Sequence, residues 1–402
     1  MTPTSAREMP VIDIDPYADE HLADPSTYYD LLLKAGDVAY LPAHDVYVMG
    51  RHASIVPALK DWETFSSTGG SGIADVRRPD AWRAPSPIVE VDPPRHTEVR
   101  RALQKVLSPA VIRKWREDFE VAAQALVAEL LEKGEVDGVQ DLSEAYVSST
   151  FPDALGIARS PERRRNLYIL GELNFDGQGP NNARYKATQA RADAIDDWYQ
   201  AQMQREAMVP GGFGENIFKA ADAGEIAPEL APLLMRSFLR GGVDTTSSAI
   251  SCALHHLANA PDQFAKLRED PSLARNALEE AMRIETPIPN VGRLTMRDVE
   301  YDGVTLPADR KVNIVLGCAN RDPEAWDRPD EYEITRKTHS HVALGHGVHM
   351  CIGQMIARLE GESVLRAVAT QVGKLEATGP STRKLNNNLR SYASVPMRMT
   401  AG

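Results

Sequence analysis

Apolar side chains fall at Ile112, Trp115, Phe119, Leu126 and Leu130, spaced three, four, seven and four residues apart. That rhythm predicts a helix with one buried stripe. Ser108 stands before it as a cap, Pro109 at its first position, and Gly134 just past its end. A second helix is predicted to open at Asp270 and Pro271. A third runs from about 228 to 259, roughly 45–50 Å at the usual rise per residue. Short alternating or β-branched runs near 38–49, 287–293, 299–305 and 311–316 predict strands. The pattern is therefore mainly α with small β-sheets.

Within the long helical stretch "LRGGVDTTSSAI" places Gly241 and Gly242 side by side. Each costs about 1 kcal/mol against alanine in a helix interior. Two readings stand at this point. The glycines serve close packing or a kink, or the helix opens there and leaves a groove for a flat ligand. In the second reading Asp244 and Thr245 face that ligand as a proton-donor pair.

Composition narrows the classes. The chain has 402 residues, 43% of them hydrophobic, and a net charge of −12. A large core is within reach of that length, and the acidic balance argues against nucleic acid. The opening "MTPTSAREMP" has no apolar leader, and no run reaches a membrane-spanning length. No linker or repeat divides the chain, so one domain over 1–402 is expected. With Cys252, Cys318 and Cys351 the only cysteines, a disulfide framework is not expected. Together these features point to a cytoplasmic protein.

Cys351 sits in "HVALGHGVHMCIGQMIARLEGE", between a glycine-rich turn and a helical run through Ile352, Met355, Ile356 and Leu359. Gly345 and Gly347 suit backbone conformations that other residues resist. A sulfur near a helix N-terminus is favoured as thiolate. It then serves as a nucleophile with His346 or His349 for a base, as a redox thiol, as a metal ligand, or only as packing. A redox thiol lacks a second cysteine nearby. A lone thiolate held by amides suits haem iron.

The segment "LGHGVHMCIG" resembles the haem-ligand loop of the cytochrome P450 monooxygenases, with Leu344 where that family usually carries phenylalanine. Other signatures follow in the family's order: "HTEVR", "GGVDTT" and "EAMR". The resemblance implies the family's triangular-prism fold, with haem b between the long helix and the helix after the cysteine loop. It makes Cys351 the axial thiolate, with Gly353 in the same loop. His96, Arg100, Arg293 and His349 become contacts to the haem propionates, and Asp244 and Thr245 the acid–alcohol pair. Glu280 and Arg283 match the family's paired helix motif, and the arginine that completes it is not evident in "RPDEYEITR".

"WRAPS", "VDPPRHT", "GVHMCIGQ" and "ARLEGE" narrow the resemblance to bacterial para-methoxybenzoate O-demethylases. It implies that Arg83, Ser86 and Ser237, with Arg236 beside them, hold an aromatic carboxylate. Val89, Phe175, Gly241, Ile288 and Val291 would line the rest of the pocket. Gln178 and Val291 replace phenylalanines of that subfamily, Gly241 an alanine and Arg240 a serine. A roomier, more polar pocket is expected, open to bulkier alkoxy or meta-substituted benzoates. Alternatives are oxidation of another small aromatic such as a neutral phenol ether, peroxide-driven hydroxylation, or ligand binding without turnover.

The implied partners are O₂, a [2Fe–2S] ferredoxin and its NADH-dependent reductase, acting on a monomer. Arg101, Lys105, Arg113 and Lys114 form either a docking patch for such a partner or ordinary solvated helix faces. Loops around 68–90 and 172–184 are candidate lids.

Overall fold

The computed structural model describes residues 8–301 and 303–402; residues 1–7, most of the segment read above for a leader, lie outside it. The helix expected around 112–130 spans Pro109–Lys133, with Ser108 Oγ accepting from the Val111 amide and Gly134 at φ +74° ending it. Its buried face is Ile112, Trp115, Phe119, Ala123, Val127 and Leu130. Leu126 is only half-buried, while Val127 beside it is fully covered. This helix packs along Gln354–Gln371, which also meets Ala274–Glu285 and Asp244–Asn259. Those four carry much of the main apolar cluster. At Asp270 the chain first makes a 3₁₀ turn, Pro271–Leu273, before the α-helix begins at Ala274.

The long helix is not continuous. It divides into Leu230–Gly241 and Asp244–Asn259, with Gly242 and Val243 outside regular helix. The two glycines do different things there. A Cβ on Gly242 would lie 2.2 Å from Cζ of the buried Phe151, whereas one on Gly241 would meet nothing within 4 Å. Gly242 is a packing necessity, and Gly241 opens onto a cavity.

The β elements are small. A five-stranded sheet has the order Ala39–Leu41, Val46–Met49, Lys311–Val315, Asn290–Thr295, Phe65–Ser66. Only the pairing of Val46–Met49 with Lys311–Val315 is parallel. A second sheet places Pro396–Ala401 between Glu135–Asp137 and Val372–Ala377. Sequence patterning did not signal this sheet, whose central strand pairs with Val372–Ala377 across 20–29 residues but with Glu135–Asp137 across 259–263. Among the described residues no helix is long and apolar enough to cross a membrane.

Candidate functional site

The loop before Gln354–Gln371 is built by its glycines. Gly345 and Gly347 both hold positive φ, +71° and +69°. A Cβ on Gly347 would lie 2.5 Å from the Leu59 carbonyl, so the loop could not approach the helix His52–Lys60 with another residue there. The Cys351 amide donates to the Leu344 carbonyl at 2.9 Å, which makes Leu344 part of the cysteine's own turn. Cys351 lies three residues ahead of the helix rather than in its first turn. Burial pushes the free thiol up, although the Gly353 amide and the Arg100 charge pull it down. The loop's amides alone therefore do not make a thiolate. A cationic metal at the sulfur would.

A buried ionic network anchors the segment leading to this loop. Arg283 donates from Nε and Nη2 to Glu280 at 2.8 and 2.9 Å, and its Nη1 reaches the Asn320 and Pro329 carbonyls. The partner missing from the sequence reading is Arg336, the last residue of "RPDEYEITR". Its Nε donates to Glu280 Oε1 at 2.8 Å. Glu279 does not reach Arg283 at all. It pairs instead with His341 and Arg358, which draws its carboxyl down to about 2 against its burial.

Cys351 and Gly353 open onto a cavity of about 370 Å³. Thr245 and Gly241 border it from the broken helix, and Ile288, Val291 and Arg293 from the strand Asn290–Thr295 and the turn before it. Val89 and Phe175 line it as expected, as do Arg100 and His349. His96 is not on its wall. It packs behind His349 with the rings tilted and their centroids 4.4 Å apart, and burial lowers it to about 4.

Asp244 departs from expectation. Its carboxyl lies against Gly171 in the helix Arg163–Asp176 and does not line the cavity. Its Oδ2 has no hydrogen-bond partner, and burial raises its pKa well above the ordinary carboxylate range. Burial thus favours the neutral form of this side chain behind the helix, while Thr245 faces inward and donates to the Gly241 carbonyl at 2.9 Å. Residues adjacent on a helix point about 100° apart, so the acid and the alcohol could not share one face.

The residues around Cys351 fit a haem. Nε2 of His96 and of His349 are buried with no hydrogen-bond partner. His349 lies 3.5 Å from Asp92 without making a well-formed bond. Arg100 has no ion pair among the described residues, and the buried Arg293 donates only to its neighbour's carbonyl. Burial lowers both guanidinium groups, Arg293 to about 10. These four donors have the Gly292 carbonyl as their one hydrogen-bond acceptor among the described residues, an arrangement that costs free energy unless anions complete it. Two propionates would do so, while the sulfur takes the metal.

Elsewhere on the cavity wall lies a polar cluster. Ser86 Oγ and Ser237 Oγ are 3.4 Å apart, and Ser237 also donates to the Leu233 carbonyl. Arg236 donates to the Pro85 carbonyl at 2.8 Å. Arg83 is already paired with Glu90, a buried carboxylate that also accepts from the Ser71 amide and hydroxyl and from the Ser86 amide. Glu90 had no periodic or motif signal in the sequence. Despite burial, Arg83 and these donors hold it below its usual range, so it is ionised.

The two candidate lids are tied together. The Ile73 amide donates to the Gln178 carbonyl at 2.9 Å, and Trp82 Nε1 to the Gly177 carbonyl at 3.0 Å. Arg101, Lys105, Arg113 and Lys114 are all exposed on two consecutive helices, with Lys105 engaged by Glu225.

The family profile described as Cytochrome P450 matches residues 228–368. A curated relative, Cytochrome p450 CYP199A2 of Rhodopseudomonas palustris, is 47% identical over 98% of this chain and 95% of its own length. The beta-dihydromenaquinone-9 omega-hydroxylase of Mycobacterium tuberculosis is 27% identical over 98% of this chain and 79% of its own. Among solved structures, cytochrome P450 CREJ in complex with (4-ethylphenyl) dihydrogen phosphate superposes with a TM-score of 0.85 at 23% identity. That match covers 94% of this chain and 98% of the other, and at such identity it speaks to the fold.

Proposed function

The chain belongs to the cytochrome P450 family, haem-thiolate monooxygenases, and from that membership we propose that it oxidatively O-demethylates a para-alkoxybenzoate-type aromatic acid. The observation that carries this reading is the cluster of Ser86, Ser237, Arg83 and Arg236 on the wall of a largely apolar cavity that also exposes Cys351. An aromatic ring suits the apolar wall, and a carboxylate in such a place needs charge-assisted hydrogen bonds.

Haem held by Cys351, with its propionates at His96, Arg100, Arg293 and His349, supplies activation of O₂ and delivery of one oxygen atom. The protein supplies position and protons. Ser86 and Ser237 hold the carboxylate, so the para substituent is directed away from them toward the metal. Thr245 holds a hydroxyl in the cavity, and Asp244 keeps a proton behind it, out of bulk water. Asp244 is placed to pass a proton toward the Thr245 hydroxyl, where it would serve the reduction of the second oxygen atom to water. Hydroxylation of the methoxy carbon gives a hemiacetal that collapses to a phenol and formaldehyde. Two electrons enter per turnover from a separate donor, for which a [2Fe–2S] ferredoxin docking near Arg101, Arg113 and Lys114 is the candidate.

Haem absorption during titration with 4-methoxybenzoate, then with neutral 4-methoxytoluene, tests the reading. A low-to-high-spin shift with the acid alone is expected, followed by stoichiometric formaldehyde when electrons are supplied. A shift with the neutral ether alone would overturn the carboxylate assignment.

A further inference from the structure

The charge around the substrate cavity does not balance. Arg83, Arg236 and Arg240 all line it, and Glu90 is the carboxylate that faces them. Glu90 is occupied by Arg83. Arg236 has a carbonyl for a partner, and the neighbouring cation of Arg240 adds to burial in lowering its pKa. Arg240 has no ion pair with a carboxylate among the described residues, and its Nε is buried without a hydrogen-bond partner. Its guanidinium rests on the Tyr199 ring, 5.2 Å from the centroid, a contact that orients the cation without neutralising it.

The position of Arg240 matters as much as its charge. It follows Ser237 by three residues on the helix Leu230–Gly241, about 4.5 Å further along the axis and on the same side. That direction leads toward Gly241 and Thr245. A ring whose carboxylate rests at Ser86 and Ser237 would have Arg240 along its edge, not at its end. One substrate carboxylate leaves a second cation beside the ring still uncompensated.

Resting on the aromatic-acid reading above, we propose that the preferred substrate is an aromatic diacid, a para-alkoxybenzoate with a second carboxylate on the ring edge that Arg240 binds. 4-Methoxybenzene-1,3-dicarboxylate is the simplest such compound. Its first carboxylate occupies the serine pair, its second pairs with Arg240, and the methoxy group remains para to the first.

Calorimetric and haem-absorption titrations of the holoenzyme with this diacid and with 4-methoxybenzoate test the proposal. In the native enzyme the diacid is expected to bind at least tenfold more tightly than the monoacid. In Arg240→Ser that ratio falls to one or below, and in Arg240→Lys, which keeps the charge, a preference of several-fold returns. Monoacid binding by Arg240→Ser reports that the pocket is still formed. A native ratio near one, or an unchanged ratio in Arg240→Ser, would overturn the role of Arg240 while leaving the aromatic-acid reading intact. If neither acid binds, both fall.

Discussion

Replacing each of the adjacent glycines by alanine should have opposite consequences, although any propensity scale treats them alike. In Gly242→Ala the new Cβ falls 2.2–2.3 Å from two carbons of the Phe151 ring and 2.9 Å from the Phe238 carbonyl. Ordinary carbon contacts are about 3.5–4.0 Å, so the ring must move by more than 1 Å. Phe151 is 4% exposed and sits edge-on to Phe213, with ring centroids 5.9 Å apart. Overpacking of this kind costs about 1–3 kcal/mol, and Gly242 lies outside regular helix, so no propensity gain offsets it. With unfolding entropy of about 2.1 cal/mol/K per residue over the whole chain, the melting midpoint drops by about 1–4 °C. In Gly241→Ala the Cβ enters open space, so the midpoint holds or rises by about 1 °C, while the cavity narrows next to Thr245. Paired thermal melts of the holoproteins, with titrations of 4-methoxy- and 4-propoxybenzoate, read both effects. Equal midpoints for the two variants, or a loss of stability confined to Gly241→Ala, would refute the packing argument.

Three further outcomes follow from buried charge. Glu360 is fully buried, accepts one bond from Thr150 and leaves Oε2 unpartnered, and burial raises its pKa to about 8. The folded state therefore binds more protons than the unfolded state between about pH 4.5 and 8, and stability is lost as pH rises through that window. Denaturant melts should show Glu360→Gln gaining on the native protein by on the order of 1 kcal/mol per pH unit; a constant gap from pH 5 to 8 contradicts this. Arg336→Met removes a charged donor from the buried Glu280 and should cost about 1.5–3 kcal/mol, with haem retained less well on gel filtration; native stability and haem content would count against the network's role. Asp244→Asn should lower the demethylation rate by about 10²-fold or more, the usual contribution of a general acid being about 10²–10⁴-fold. Acid-induced spin shifts should persist, because the side chain lies off the cavity wall; loss of binding with full residual rate would reverse the assignment.

The sequence by itself determined the helical class, the caps at Ser108 and Gly134, the interruption at Gly241–Gly242 and the cysteine loop. These are local properties, set by periodicity, by the backbone freedom of glycine, or by a motif a few residues long. Val127 covered more fully than Leu126 marks the limit of even that local reading, since helical phase places Leu126 nearer Phe119 and the packing partners decide which side chain is covered. What the tertiary structure alone decided is who meets whom. Glu280 takes Arg336, 56 residues away in sequence, Glu90 neutralises Arg83, and Arg240 is left uncompensated. Asp244 and Thr245 look like one unit in the chain, yet they point to different environments because consecutive helical residues diverge. The two glycines also read alike until Phe151 arrives from another helix and makes only one of them irreplaceable. Charge balance and steric exclusion are properties of a neighbourhood, and for this chain the neighbourhood exists only once the helices pack.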